Sequence, residues 1–195
     1  MIIYILLSFA VGVEGGVFEL QGNDIVSPEF GPRFGVFCDV PVTSNLNYVL
    51  SFGWGKATAS TRTVAITYDS LGQRQVFSEV RGEDFEYLSG DFSVNWIPLR
   101  SVISPCLSGR LGLKSWKFVS GGEVAMSLNG NEFKGISLSL GGSAGLKGNI
   151  AGFILSAEVF SDFIFSENSD WEKGFGGEDD NEWTRGVIFR LGRDF

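Results

Sequence analysis

Apolar and polar positions alternate with period two in stretch after stretch of this chain, and no segment of helical length keeps an apolar period of 3.6. Within residues 46–58, Leu46, Tyr48, Leu50, Phe52 and Trp54 share one face, while Asn47, Val49, Ser51, Gly53 and Gly55 share the other. Phe92, Val94 and Trp96 likewise oppose Asp91, Ser93 and Asn95. Further on, Ala151, Phe153, Leu155, Ala157, Val159, Phe163 and Phe165 fall on one side, with Gly152, Ser156, Glu158 and Asp162 on the other. The last segment sets Val187, Phe189, Leu191 and Phe195 against Thr184, Gly186, Arg190, Gly192 and Asp194. The pattern predicts an all-β protein.

Eight strands are expected, at Val13–Gly22, Phe30–Pro41, Leu46–Thr58, Tyr87–Pro98, Pro105–Val119, Glu132–Gly145, Ile150–Phe165 and Trp183–Phe195. Their connections alternate in length: Val42–Asn45, Leu99–Ser104 and Leu146–Asn149 are short, whereas Ala59–Glu86, Ser120–Asn131 and Ser166–Glu182 are long. Tight turns at one rim and long loops at the other are the mark of an antiparallel up-and-down transmembrane β-barrel. Inside the longest connection, Val64–Tyr68 and Gln75–Val80 are alternating pieces that would extend the neighbouring strands.

Alternation alone also fits a soluble, lipocalin-like barrel that turns its apolar faces inward around a ligand. The polar face separates the two readings. A water-exposed wall should be rich in Lys and Glu, yet this face carries mostly Gly, Ser and Asn, small enough to share the crowded lumen of an eight-stranded barrel. Acidic residues gather in the connections instead, as Glu79, Glu83, Asp84 and Glu86, and again as Glu167, Asp170, Glu172, Glu178, Asp179, Asp180 and Glu182. Tyr48, Trp96 and Trp183 fall near strand ends on the apolar face, where interfacial aromatic girdles sit. At the start, the apolar run Ile2–Val13 followed by Gly15 and Gly16 reads as a secretory leader, giving residues 1–15 to a signal peptide and 16–195 to the barrel. The run is too short to span a bilayer as a helix, which takes about 20 residues.

Composition narrows the function. The chain has 195 residues, 44% of them hydrophobic, and a net charge of -8, so it can bury a core and is no disordered acidic polymer. The acidic balance argues against nucleic acid as a partner. Histidine is absent, which removes Ser-His-Asp and Cys-His mechanisms. No enzyme activity and no cofactor is expected. Cys38 and Cys106 lack metal-ligand spacing, and alternation points Cys38 outward and Cys106 inward, so two free thiols are expected rather than a bridge. Glu158 and Asp162, four residues apart on one strand face, are separated by about 13 Å, too far for the usual acid/base pair. They are expected instead to join Asp39 and Asp91 in a lumen network neutralised by Arg33, Arg110, Lys114 and Arg190, because a buried charge is costly unless paired. The run Gly176–Glu182 offers oxygen ligands for a hard cation but lacks EF-hand spacing, and a solvated acidic loop is the expected reading. No metal site is expected. Gly141-Gly142 has no phosphate-loop context and reads as room for lumen packing.

Particular segments carry a family resemblance. Arg33-Phe34-Gly35-Val36 before a tight turn and Asn45-Leu46-Asn47-Tyr48 after it resemble the small OmpA/OmpX-like outer-membrane β-barrel domains of Gram-negative bacteria. So does Phe92-Ser93-Val94-Asn95-Trp96-Ile97-Pro98, followed by the Gly-rich segment Pro105–Gly112. The ending Val187-Ile188-Phe189-Arg190-Leu191-Gly192-Arg193-Asp194-Phe195 is similar to the C-terminal β-signal read by the outer-membrane assembly machinery, with Val187, Phe189, Leu191 and Phe195 as its apolar positions. The resemblance implies residence in the outer membrane, contact with its lipids and assembly machinery, and a structural or surface-interaction role in which acidic loops meet an extracellular partner. It extends to the barrel alone, so no cell-wall tether is expected. A small porin-like channel is the alternative within the same fold.

Overall fold

The computed structural model describes residues 9–22, 25–68, 70–99, 101–126, 132–165 and 182–195. Ten strands follow one another: β1 (Ala10–Gln21), β2 (Ile25–Pro28), β3 (Gly31–Pro41), β4 (Leu46–Tyr68), β5 (Arg74–Trp96), β6 (Ile103–Ser120), β7 (Glu123–Val124), β8 (Lys134–Ile150), β9 (Phe153–Phe165) and β10 (Glu182–Asp194). Eight of them, all except β2 and β7, form a closed wall in which each strand pairs antiparallel with both neighbours. The first and last strands seal it from Ala10↔Asp194 to Gln21↔Trp183, which leaves no open sheet edge in the wall. β2 continues beside β4 above β3, and β7 folds back on the end of β6. The protein is all-β, a closed eight-stranded antiparallel barrel.

One rim holds Ala10, Asp194 and the three tight connections, at residues 42–45, 97–102 and 151–152. The other holds the longer ones. The connection expected at Ala59–Glu86 is mostly strand: β4 and β5 stay paired from Leu46↔Trp96 to Tyr68↔Arg74, so the hairpin runs well past the wall. Beyond Asp84, β5 has no pairing with β6, and past the β2–β4 pairs at residues 59–61 what remains is a two-stranded ribbon.

Two boundaries differ from the sequence expectation. β8 continues through Leu146–Asn149, and the turn lies at Ala151-Gly152, with φ of 53° and 80°. Two successive positive φ values form the hairpin turn whose twist matches the strands, a conformation glycine adopts freely and alanine only at a cost. At the other end, β1 begins at Ala10 and is paired on both sides from that residue, so the wall starts at Ala10 rather than at residue 16.

Alternation sorts the side chains. Phe34, Val36, Leu50, Phe52, Leu88, Leu111, Leu140, Leu155, Val159 and Phe189 are exposed on the outside, forming an apolar band around the barrel. Tyr48 and Trp96 lie on the outer face at the tight-turn rim, and Trp183 lies there at the long-loop rim. Such a surface belongs in hydrocarbon, where closed strand pairing satisfies every backbone group. Cys38 and Cys106 are free, the second buried on the lumen side.

Candidate functional site: the lumen and the outer belt

Side chains expected inside, and two more, build the lumen. Arg33 on β3 and Arg190 on β10 both reach Glu14 on β1, at 2.6 and 3.0 Å. Arg190 also bonds Glu158 on β9, which accepts from Ser143 at 2.6 Å and Ser156 at 3.0 Å. One strand turn further along, Arg110 and Lys114 on β6 converge on Asp162 at 3.2 and 3.0 Å, and Lys114 donates to Thr184 at 3.2 Å. Asp39 accepts from Asn47 at 2.7 Å and pairs with Lys147 on β8. Asp91 accepts from Ser89 at 2.9 Å. All eight charged residues named from the sequence are buried on the lumen side. Room for the carboxylates comes from glycine: a Cβ at Gly141 would collide with the Asp162 carboxylate, and one at Gly112 with that of Asp91.

Sequence reasoning passed over Glu14 and Lys147. Glu14 lies inside the stretch that reads as a leader, and Lys147 inside the four residues that read as a turn. With both included, the described lumen below residue 162 of β9 holds Glu14, Asp39, Asp91, Glu158 and Asp162 against Arg33, Arg110, Lys114, Lys147 and Arg190, five acids for five bases. Buried ions in such numbers persist only as a mutually compensated set.

Above the charges sits an apolar plug. Phe18, Leu20, Phe85, Tyr87, Trp116, Phe118, Ile164 and Ile188 are buried inside the barrel toward the long-loop rim. Phe18 meets Tyr87 edge-on at 5.0 Å, Phe85 lies 5.3 Å from Phe118, and the Trp116 Nε1 donates to Ser137 at 2.9 Å. Phe160 joins plug to network, with the Arg33 and Arg110 guanidinium carbons 5.1 and 5.2 Å from its ring centre. The sequence carries a signal for this plug in the runs Phe163-Ile164-Phe165 and Val187-Ile188-Phe189. Consecutive apolar residues on a strand mean that both faces are apolar.

Outside, the apolar band ends at a charged belt. Lys56, Glu86, Lys117 and Lys134 stand in one cross-strand row over β4, β5, β6 and β8. Lys56 bridges Asp84 at 2.8 Å and Glu86 at 3.1 Å, Lys117 bridges Glu86 at 3.1 Å, and Lys134 pairs with Glu132. The hydrogen bond from Lys56 holds the Asp84 carboxyl below the usual carboxylate range, and the same bond raises Lys56. Elsewhere on the belt Arg185 pairs with Glu19 across the β1–β10 seam. β4 and β5 leave the membrane at this belt.

Of the apolar positions named in the last strand, Phe189, Leu191 and Phe195 are exposed on the outer wall and Val187 is half-buried. Cation–π contact brings the Arg193 guanidinium within 5.9 Å of the Phe195 ring. The acidic run Gly176–Asn181 and the acids Glu167–Glu172 lie outside the described residues, while Glu182 is buried at the top of β10. Among the described residues no three His, Cys, Asp or Glu side chains cluster to hold a metal ion.

No family model matches the chain, and no curated protein matches it. Solved structures do. Neisserial surface protein A (NspA) superposes with a TM-score of 0.56 at 14% identity, covering 94% of this chain and 96% of that one. Ail, the attachment invasion locus protein of Yersinia pestis, solved with the heparin analogue sucrose octasulfate, gives 0.52 at 14% identity over 97% and 99%. Closed wall, apolar outer band and tight-turn rim together make this the fold of the small eight-stranded, OmpA-like outer-membrane β-barrels.

Proposed function

We propose that the chain is a non-conducting outer-membrane barrel whose work is done on the long-loop side, as a surface-interaction protein. The observation that carries this reading is the double closure of the lumen, by paired charges in one part and an aromatic plug in the other. Eight-stranded barrels have interiors that side chains can fill, and a filled interior favours an anchoring role over a porin-like one. The β4–β5 ribbon gives such an anchor its reach, since it continues to Tyr68 and Arg74 far beyond the belt.

Charge indicates the kind of partner. Residues 166–181 contain six acids against the single Lys173. Ail was solved with a polyanion; the acidic connections here favour a cationic partner instead. Export would follow removal of an apolar leader before Phe9, since Phe9 bonds Phe195 and Ala10–Gly15 are paired in the wall.

The test reconstitutes the purified barrel in planar bilayers and in nanodiscs. Flat conductance traces, with salt-sensitive binding of a poly-lysine probe and none of heparin, are expected. Discrete conductance steps would favour the small-porin reading, and heparin binding would reverse the charge argument.

A further inference from the structure

Lys117 and Lys134 face each other directly across β6 and β8, both outward and both exposed. Like charges in directly opposed sheet positions repel, an arrangement that costs stability unless an anion lies between them. Two residues nearer the tight-turn rim, the next cross-strand row on the same face reads Trp54, Leu88, Ser115 and Ile136. Ser115 is the one small member of that row. A groove of about 480 Å³ opens over it, with Leu88 and Ile136 as walls, Trp54 beyond, and the two lysines at its head.

Position settles what such a groove meets. Its floor lies within the apolar band, facing acyl chains, and its head lies at the charged belt, at headgroup level. An occupant must therefore be an amphiphile with an anionic head. Lysine ammoniums are compact donors suited to phosphate oxygens, and each keeps donors beyond the one its carboxylate neighbour takes. Glu86 bonds Lys117, and Glu132 bonds Lys134. The first is shared with Lys56, which holds it from the other side. The second lies at the exposed end of its segment and is the group a phosphate would displace.

We propose that this groove binds a phosphate-bearing acyl lipid of the leaflet on the long-loop side, with the phosphate between Lys117 and Lys134 and one acyl chain over Ser115. The site is separate from the lumen and does not depend on what the ribbon contacts.

Native mass spectrometry of the full chain released from detergent tests this, with phosphatidic acid, diacylglycerol of the same chains and inorganic phosphate as probes. Phosphatidic acid should be retained and diacylglycerol lost, and Lys117→Gln with Lys134→Gln should weaken retention roughly tenfold, as loss of charge-assisted bonds implies. Ser115→Trp, which fills the groove and keeps both lysines, should also abolish retention. Glu132→Gln should tighten it, and Arg185→Gln, elsewhere on the belt, should leave it unchanged. A gel-mobility shift on heating confirms that each variant folds. Equal retention of diacylglycerol, equal weakening by Arg185→Gln, or full displacement by millimolar inorganic phosphate would each overturn the proposal, the last by reducing the site to a free-phosphate one.

Discussion

Phe195 stacks on Phe9, ring centres 5.8 Å apart and planes at 25°, and the Phe195 amide donates to the Phe9 carbonyl at 2.9 Å. The last residue of the chain thus meets the residue just before β1 and completes the β1–β10 seam at the tight-turn rim.

Deleting Phe195 is expected to block assembly in cells while costing little final stability. The ring pair itself is worth about 0.5–1.5 kcal/mol. A barrel that never closes, by contrast, exposes unpaired backbone groups to hydrocarbon, at several kcal/mol each. The truncated chain should accumulate unfolded in the periplasm yet refold in detergent. Normal surface display of it would remove Phe195 from any assembly signal.

Arg190 joins Glu14 to Glu158, so Arg190→Ala removes the shared cation of two buried carboxylates. The expected loss is roughly 3–5 kcal/mol if the site is dry. Adding Glu158→Ala should recover part of it, since Glu14 keeps Arg33. Urea unfolding in lipid vesicles measures both, and a double variant as unstable as the sum of the singles would show the two are uncoupled.

Leu155 faces outward between Gly148 and Leu191, whereas its neighbour Ser156 donates to Glu158 inside. Leu155 lies two residues into β9 from the tight-turn rim, so Leu155→Arg should cost about 1–2 kcal/mol, less than the ~2–4 kcal/mol of an arginine at the bilayer midplane. Ser156→Leu should destabilise by another route, crowding the lumen and removing a hydrogen bond from a carboxylate. A fully stable Leu155→Arg in vesicle refolding would reverse inside and outside.

At the belt, the depressed Asp84 carboxyl sets a pH dependence. Its folded value lies below its unfolded one, so its contribution is present above the ordinary carboxylate range and is lost as pH falls through the folded value. Backbone protection near Thr58 and Asp84, measured against the intrinsic exchange rate at each pH, should therefore fall on acidification more in the wild type than in Asp84→Asn. Identical pH profiles for the two would refute the linkage.

The architecture was legible because a membrane barrel writes its two faces in alternate letters. Leu50, Phe52, Val94, Leu155 and Phe189 announce one medium, and Ser51, Ser93 and Glu158 the other. What stayed hidden did so for physical reasons. Glu14 sits among Val11, Gly12, Val13, Gly15 and Gly16, a run as apolar and small as a leader. The Ala151-Gly152 turn puts alanine where asparagine or aspartate usually signals positive φ, and so displaced the hairpin and concealed Lys147. The plug was invisible to a rule that assigns polar residues to the lumen, because Phe85, Phe118 and Ile164 close a dry end where that rule fails.

The five acids and five bases of the lumen below residue 162 cancel, so the -8 excess is carried by the rest of the chain. An approaching molecule therefore feels no opposing field from the interior. Electrically that part of the lumen is a neutral plug, and the long-range attraction of the net-anionic chain for cations fades with added salt.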